Sequence, residues 1–91
     1  MNNEHIKNFI KKHSNKLIGQ VVCIKKDAFL WEIKEIKGNL VLLKGIFQER
    51  YYWVDIERLI KKWLILTKKG YESLFFWITS QIKLNKKIKV Q

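Results

Sequence analysis

The stretch RYYWVDIERLIKKW, from Arg50 to Trp63, places two tyrosines and two tryptophans among arginines and lysines. Its part YYWV favours a strand, because aromatic and β-branched residues suit extended structure. Asp55 is then positioned to cap one helical turn, DIERL, before IKKWLIL resumes extended structure. The stretch therefore predicts a strand, a helical turn and a second strand. Its rings belong either to a hydrophobic core or to a binding surface.

The residues before this stretch also have the pattern of strands. Phe29, Trp31 and Ile33 alternate with their neighbours as one apolar face. The apolar face then skips to Ile36, which predicts a bulge near Glu35. The letters KGN that follow supply the glycine and asparagine of a tight hairpin. The next run, LVLLKGIF, is apolar at nearly every position, so we expect a central strand that is buried on both faces.

Residues 1–18 have the pattern of an amphipathic helix. Five side chains fall within one arc when each residue turns by about 100°, and they are Ile6, Phe9, Ile10, His13 and Leu17. Gly19 follows where such a helix is expected to stop. We expect this helix to pack on the domain with its lysines in solvent, or else to serve as a basic arm or membrane-surface helix.

The last third of the chain predicts a second helix that begins at a Thr67 cap. Its apolar stripe has helical spacing, and the stripe consists of Tyr71, Leu74, Phe75, Ile78 and Ile82. The letters LFFWIT are also good strand sequence, so a hairpin that turns at LNKK remains an alternative. If the segment is helical, Phe76 and Trp77 lie off the stripe and are the candidate residues for binding a protein partner.

These patterns resemble SH3-like barrel modules, in which a strand that ends in WV leads into one helical turn and a closing strand. The matching residues are Trp53 and Val54, the turn from Asp55 to Arg58, and Leu59. The resemblance implies an α+β, mainly β fold. We expect a small antiparallel barrel of four to five strands with an N-terminal amphipathic helix and a C-terminal helix. The single domain would comprise a helix at 1–18, the barrel at 19–66, a helix at 67–85 and a basic tail at 86–91.

The resemblance also implies a function. Basic barrels with a C-terminal helix, similar in plan to small archaeal chromatin proteins, lay a triple-stranded sheet on DNA and wedge apolar side chains between bases. This chain departs from them through its added N-terminal helix, which could cover the same sheet. The likeness is one of fold, and such barrels host many unrelated functions.

The charge balance points to a polyanionic partner. The chain has 91 residues, 19 of them lysine or arginine and 8 of them aspartate or glutamate, for a net charge of +11. Such an excess on one small domain attracts nucleic acids. AT-rich coding would explain the many lysines, but it does not explain the few acids. A hydrophobic fraction of 47% excludes a disordered chain.

We expect no enzymatic activity, no metal site and no cofactor. His5 and His13 lie eight residues apart, and no acid or cysteine completes a helical metal pair with either. The lone Cys23 lies within an apolar run, where a thiol is usually inert packing. It cannot form an internal disulfide, and no signal or membrane-spanning run is visible, so we expect an intracellular, cytoplasmic protein without membrane insertion.

The candidate nucleic-acid-binding residues combine cations with rings, and they are Arg50, Tyr51, Trp53, Arg58, Lys61 and Lys62. Lysines would neutralise phosphates, while an arginine can bind phosphate or guanine with its two-pronged guanidinium. Strand alternation leaves two arrangements open. Val54 in the core would expose Tyr51 and Trp53, whereas Trp53 in the core, which the barrel resemblance favours, would expose Tyr52.

Two functions follow from these features. The first is a small, basic, non-enzymatic protein that binds DNA or RNA with little sequence specificity, as an accessory protein of a phage, plasmid or other mobile element would. Its lysines and arginines would contact phosphates and an exposed aromatic would contact bases. The alternative is a protein-interaction module that docks on a host nucleic-acid enzyme and inhibits or modulates it. A homodimer is compatible with either function.

Overall fold

The computed structural model describes residues 3–24 and 29–90, and it describes side chains within 4–24 and 29–84. These residues form six strands and four helices. The strands are β1 (Val21–Cys23), β2 (Trp31–Lys37), β3 (Leu40–Gly45), β4 (Tyr51–Asp55), β5 (Leu64–Thr67) and β6 (Gly70–Ser73). The helices are α1 (Asn3–Lys12), α2 (Ser14–Leu17), α3 (Ile56–Lys62) and α4 (Leu74–Val90).

The strands form one open antiparallel sheet in the order β4-β3-β2-β1-β5-β6. The α+β class expected from the sequence is confirmed, but the closed barrel of four to five strands is wrong. The sheet stays open because β4 and β6 lie at opposite edges and do not pair. The sixth strand comes from residues that were predicted to be helical. Gly70, with a φ of 108°, allows the chain to turn back from β5 into β6.

The helices cover one face of the sheet. Strands β4 and β5 run in the same direction and are separated by three strands. The connection between them, α3, must therefore cross the covered face from the β4 edge to β5. Helices α1, α3 and α4 contact one another and bury their apolar stripes between themselves and the strands. The covered side of the sheet contributes Val22, Ile33, Val41, Leu43, Val54 and Ile65 to the core.

The local predictions for β2 and β3 hold. The KGN turn forms their hairpin, with Gly38 at a φ of 60°. The register shifts between Ile33 and Glu35, which confirms the bulge and returns Ile36 to the covered face. The expectation that β3 is buried on both faces is wrong. Its residues alternate between buried and partly exposed, because helices cover the sheet on one side only.

The helical turn after β4 is longer than predicted. Asp55 caps α3 as expected, since its carboxylate accepts a hydrogen bond of 2.8 Å from the backbone N–H of Glu57. The residues IKK, expected to be extended, instead complete the helix, because Leu59 and Ile60 give it an apolar side for the core. The N-terminal helix is present but breaks at His13 into α1 and α2.

The C-terminal helix is confirmed, and the hairpin alternative is wrong. The helix begins at Leu74 and not at the predicted Thr67 cap, whose hydroxyl binds Gly70 within the β5–β6 turn. Leu74, Ile78 and Ile82 are buried as the stripe predicted. The helix runs on to Val90, through most of the predicted basic tail at 86–91, and Gln91 lies outside the described residues.

Candidate nucleic-acid interface

The side chains of β4 settle which rings face the core. Val54 pairs with Val41 and is only 2% exposed, whereas Trp53 is 45% and Tyr51 is 61% exposed on the uncovered side of the sheet. The arrangement with Trp53 in the core, which the barrel resemblance favoured, is therefore wrong. Both rings are therefore accessible, and the described parts of the two terminal helices do not cover them.

Tyr52 lies on the covered side but remains exposed near the edge of the sheet. Its ring centroid is 6.2 Å from that of Trp31, which projects from β2 on the same side. The strand between them, β3, has Gly45 opposite Trp31, so no side chain there separates the two rings. The aromatic run of β4 thus presents rings to both sides of the sheet edge.

The cations of α3 lie on the opposite side of the molecule from Tyr51 and Trp53. Arg58, Lys61 and Lys62 share one exposed side of the helix, because residues three and four apart are neighbours on a helix surface. The other side of α3 packs into the core against the covered face of the sheet. Of the six candidate residues, the structure places Tyr51 and Trp53 together on the uncovered side of β4, whereas Arg50 lines a hollow with Trp31 on the covered side. It places the three α3 cations apart from these two rings.

Positive charge is concentrated on the helices. We call the exposed side of α1–α4 the helix layer, and the uncovered side of the sheet the open sheet face. Within residues 3–84, the helices carry eight cations and two carboxylates, whereas the strands carry three cations and four carboxylates. The helix cations are Lys7, Lys11, Lys12, Lys16, Arg58, Lys61, Lys62 and Lys83. The electrostatic attraction for an anion is therefore expected at the helix layer.

One ion pair joins two elements of the helix layer. The Nζ of Lys7 on α1 lies 3.5 Å from a carboxylate oxygen of Glu57 on α3. This pair uses one of the two helix carboxylates. The last turns of α1 and α3 each end in two adjacent exposed lysines, Lys11–Lys12 and Lys61–Lys62. Lysines at these ends also complement the helix dipole, so their positions stabilise the helices whether or not an anion binds.

An apolar cleft next to β4 was missed from the sequence. It comprises two adjoining hollows of about 190 and 210 Å³ that share Phe29, Trp31 and Gln48. Phe47 lines one hollow and Arg50 lines the other, and Phe47 is 78% exposed. The pattern LVLLKGIF placed this phenylalanine in a buried strand, but β3 ends at Gly45 and leaves it in the following loop.

The two candidate partner-binding residues on α4 differ in exposure. Phe76 is 67% exposed, with its ring at 6.0 Å from the ring of Phe75 in an edge-to-face arrangement. Trp77 is partly buried and packs against the core. Of these two residues, only Phe76 is therefore a prominent surface ring.

Within residues 3–24 and 29–90, no three histidine, cysteine or acidic side chains are grouped as a metal ion would require. Cys23 is buried, and His13 lies against Phe9 with ring centroids 4.5 Å apart. None of the helices in the described part of the chain has both the length and the apolar character needed to cross a membrane. Comparisons with protein families, with curated proteins and with solved structures found no match to this chain.

Proposed function

We propose that the protein is a small, non-enzymatic nucleic-acid-binding protein of low sequence specificity that contacts phosphates through its helix layer. The observation that supports this proposal most strongly is the separation of charge. Within residues 3–84, the helices hold eight cations against two carboxylates, while the strands have slightly more carboxylates than cations. A surface with one sign of charge attracts a polyanion and releases the counterions condensed on it.

The α3 cations are the centre of the proposed site. Arg58, Lys61 and Lys62 are exposed on one side of α3, and α1 is tied to this helix by the Lys7–Glu57 ion pair. Arg58 adds a guanidinium that can bind a phosphate through two hydrogen bonds. We expect little sequence preference, because contacts from these cations to phosphates carry no sequence information.

Base stacking would require a second contact. Tyr51 and Trp53 are accessible, but they lie on the open sheet face and not beside the α3 cations. A single strand that stacks on these rings would have to follow the open sheet face, where Lys44 lies beside Tyr51. Each stacked base would contribute about 1–3 kcal/mol. Phosphate binding by the helix layer therefore does not depend on base stacking.

The proposal is tested by titrating duplex DNA, single-stranded DNA and RNA at a series of salt concentrations. With about five phosphate contacts, log K should fall with log salt at a slope of about −4 to −5 on duplex DNA. The variant Lys61→Gln/Lys62→Gln should reduce the magnitude of that slope by about 1.8, because each lost contact contributes about 0.9. The matched control is Lys34→Gln/Lys37→Gln, which removes the same charge from β2 and should leave the slope unchanged. Absence of binding to all three nucleic acids at about 50 mM salt would refute the proposal.

A protein-docking function is the second candidate, and the apolar cleft favours it. Phe29 and Phe47 are both more than half exposed, and Arg50 stands at the margin of the same cleft. Exposed aromatic clusters of this kind mark protein-interaction sites more often than scattered surface residues do. A host nucleic-acid enzyme as the partner, a phage or plasmid origin and a cytoplasmic location stay predictions. Loss of partner capture in Phe47→Ser, with nucleic-acid binding intact, would support this second function.

A further inference from the structure

We propose that the chain forms a symmetric dimer in which the free edge of β4 pairs with the same edge of a second copy. The two open sheets would then become one continuous sheet. This inference goes beyond the proposed nucleic-acid binding and does not rest on it. It derives from the backbone of β4, from the side chains along its edge and from the charges at its two ends.

The ladder between β3 and β4 determines which backbone groups of β4 are free. Two hydrogen bonds of 2.9 Å, from the N–H of Gly45 to the carbonyl of Arg50 and from the N–H of Ile56 to the carbonyl of Asn39, mark hydrogen-bonded pairs of this ladder. Hydrogen-bonded and non-hydrogen-bonded pairs alternate along antiparallel strands. The even-numbered residues of β4 therefore bind β3, and the odd-numbered residues point their N–H and C=O groups the other way.

The residues with outward backbone groups are Tyr51, Trp53 and Asp55. Among the described residues, no turn, loop or cap hydrogen bond uses the N–H groups of Tyr51, Trp53 and Asp55 or the C=O groups of Tyr51 and Trp53. The C=O of Asp55 is occupied, because Asp55 is the N-cap of α3 and accepts its first hydrogen bond. β4 is the terminal strand of the sheet, so no strand pairs with it on that side. A row of unpaired donors and acceptors on an edge strand is a template for another strand.

The edge of β4 also lacks the features that usually protect an edge strand. It contains no lysine and no proline, and Tyr51, Tyr52 and Trp53 are all exposed. The other edge, β6, is different. It has only four residues, and all of them are partly buried, whereas β4 has three exposed rings. Short and partly covered edges resist strand addition, so β4 is the more receptive edge.

A second copy of the chain fits this edge in a defined register. A two-fold axis at Trp53 pairs this residue with Trp53 of the second copy, and pairs Tyr51 with Asp55 of the second copy at both ends. The Trp53 pair then exchanges two N–H···O bonds, and at each end the N–H of Asp55 donates to the C=O of Tyr51 in the other copy. A register centred on Tyr52 would make the same number of bonds but would leave Asp55 outside the pairing.

Charge complementarity supports the same register. Lys44 pairs with Tyr51 on the open sheet face, while Asp55 lies at the other end of β4. Antiparallel pairing brings Asp55 of one copy beside Tyr51 of the other, with Lys44 on the next strand, two strand spacings or about 10 Å from Asp55. Symmetry repeats this contact at the second end. Because the axis is perpendicular to the sheet, both helix layers face the same side of the dimer.

The proposal is tested by measuring the molar mass of the full chain by light scattering over a range of concentrations. The wild type should approach twice its 11.1 kDa as the concentration rises. Trp53→Lys and Trp53→Glu should each be monomeric, because like charges directly opposite each other destabilise strand pairing. An equimolar mixture of the two variants should recover the dimer mass, since lysine then faces glutamate.

Phe76→Lys is the matched control, because it adds the same charge at an exposed ring on α4 and should leave the dimer intact. A monomeric wild type would overturn the proposal. So would a dimer that persists in both Trp53 variants, or one that is lost in Phe76→Lys, since either result places the interface elsewhere. Hydrogen exchange of the Trp53 amide provides a readout without mutation. Its exchange should slow as the concentration of wild type rises, and a rate independent of concentration would contradict edge pairing.

Discussion

Replacing Val54 with alanine removes two methyl groups from a side chain that is 2% exposed and packed in the core opposite Val41. Each buried methyl or methylene group contributes about 0.8 kcal/mol, and the residual cavity adds to the loss. We therefore expect the free energy of unfolding to fall by about 2 kcal/mol. A domain of this size has a total of only about 5–13 kcal/mol, so the effect should be large.

Urea unfolding followed by far-UV circular dichroism measures this loss. A slope of about 1–3 kcal/mol per molar urea would move the midpoint of Val54→Ala down by about 0.7–2 M. Trp53→Phe is the matched change on the open sheet face, and it should alter stability by no more than about 0.5 kcal/mol. The opposite pattern, with Trp53→Phe costly and Val54→Ala nearly neutral, would refute the placement of β4 described here.

Three further changes test local features of the fold. Asp55→Ala removes the acceptor for the Glu57 N–H and should lower the free energy of unfolding by about 1 kcal/mol. Asp55→Asn keeps an acceptor and should cost much less. Equal losses for the two variants in urea unfolding would argue against the cap. Gly38→Ala introduces a side chain at a φ of 60° in open space, so thermal unfolding should show a loss of about 1–2 kcal/mol, and Gly38→Asn should be better tolerated. Gly45→Ala places a Cβ 3.0 Å from the carbonyl oxygen of Gln48, and the resulting crowding should lower the free energy of unfolding by about 1–3 kcal/mol. An unchanged unfolding midpoint would show that the loop at Gln48 can move to accommodate the Cβ.

The features that the sequence predicted correctly depend on short-range signals. The bulge between Ile33 and Glu35, the hairpin at Gly38 and the Asp55 cap each follow from residues that are adjacent or nearly so. The buried stripes of α1 and α4 follow from helical spacing. In all these cases the physical cause lies within a few residues, where the sequence alone carries the information.

The open sheet could not be predicted in the same way, because strand pairing over long distances along the chain decides it. Val22 of β1 pairs with Ile65 of β5, which inserts the C-terminal hairpin beside β1 and leaves β4 and β6 at separate edges. Nothing local to either residue specifies that pairing. Strand β6 was missed because Tyr71 also fits the helical spacing of the residues that follow it.

The sequence identified candidate residues for the site, but it did not show that they lie on different surfaces of the molecule. Tyr51 and Trp53 are close to the α3 cations in sequence, yet the chain turns at the Asp55 cap onto the covered face, so Arg58 lies on the other side of the sheet from these rings. The concentration of charge on helices becomes visible only when the bounds of the elements are known. The cleft around Phe47 was missed because the end of β3 was placed too late in the chain.

An NMR titration of the labelled protein with a short DNA duplex tests the central claim most directly, namely that the helix layer is the surface that binds phosphates. The account predicts that the largest amide shifts cluster in the last turns of α1 and α3, at Lys11, Lys12, Lys61 and Lys62. Increasing salt should reverse these shifts as the complex dissociates. Shifts confined to the open sheet face around Trp53, or no shifts at low salt, would contradict it.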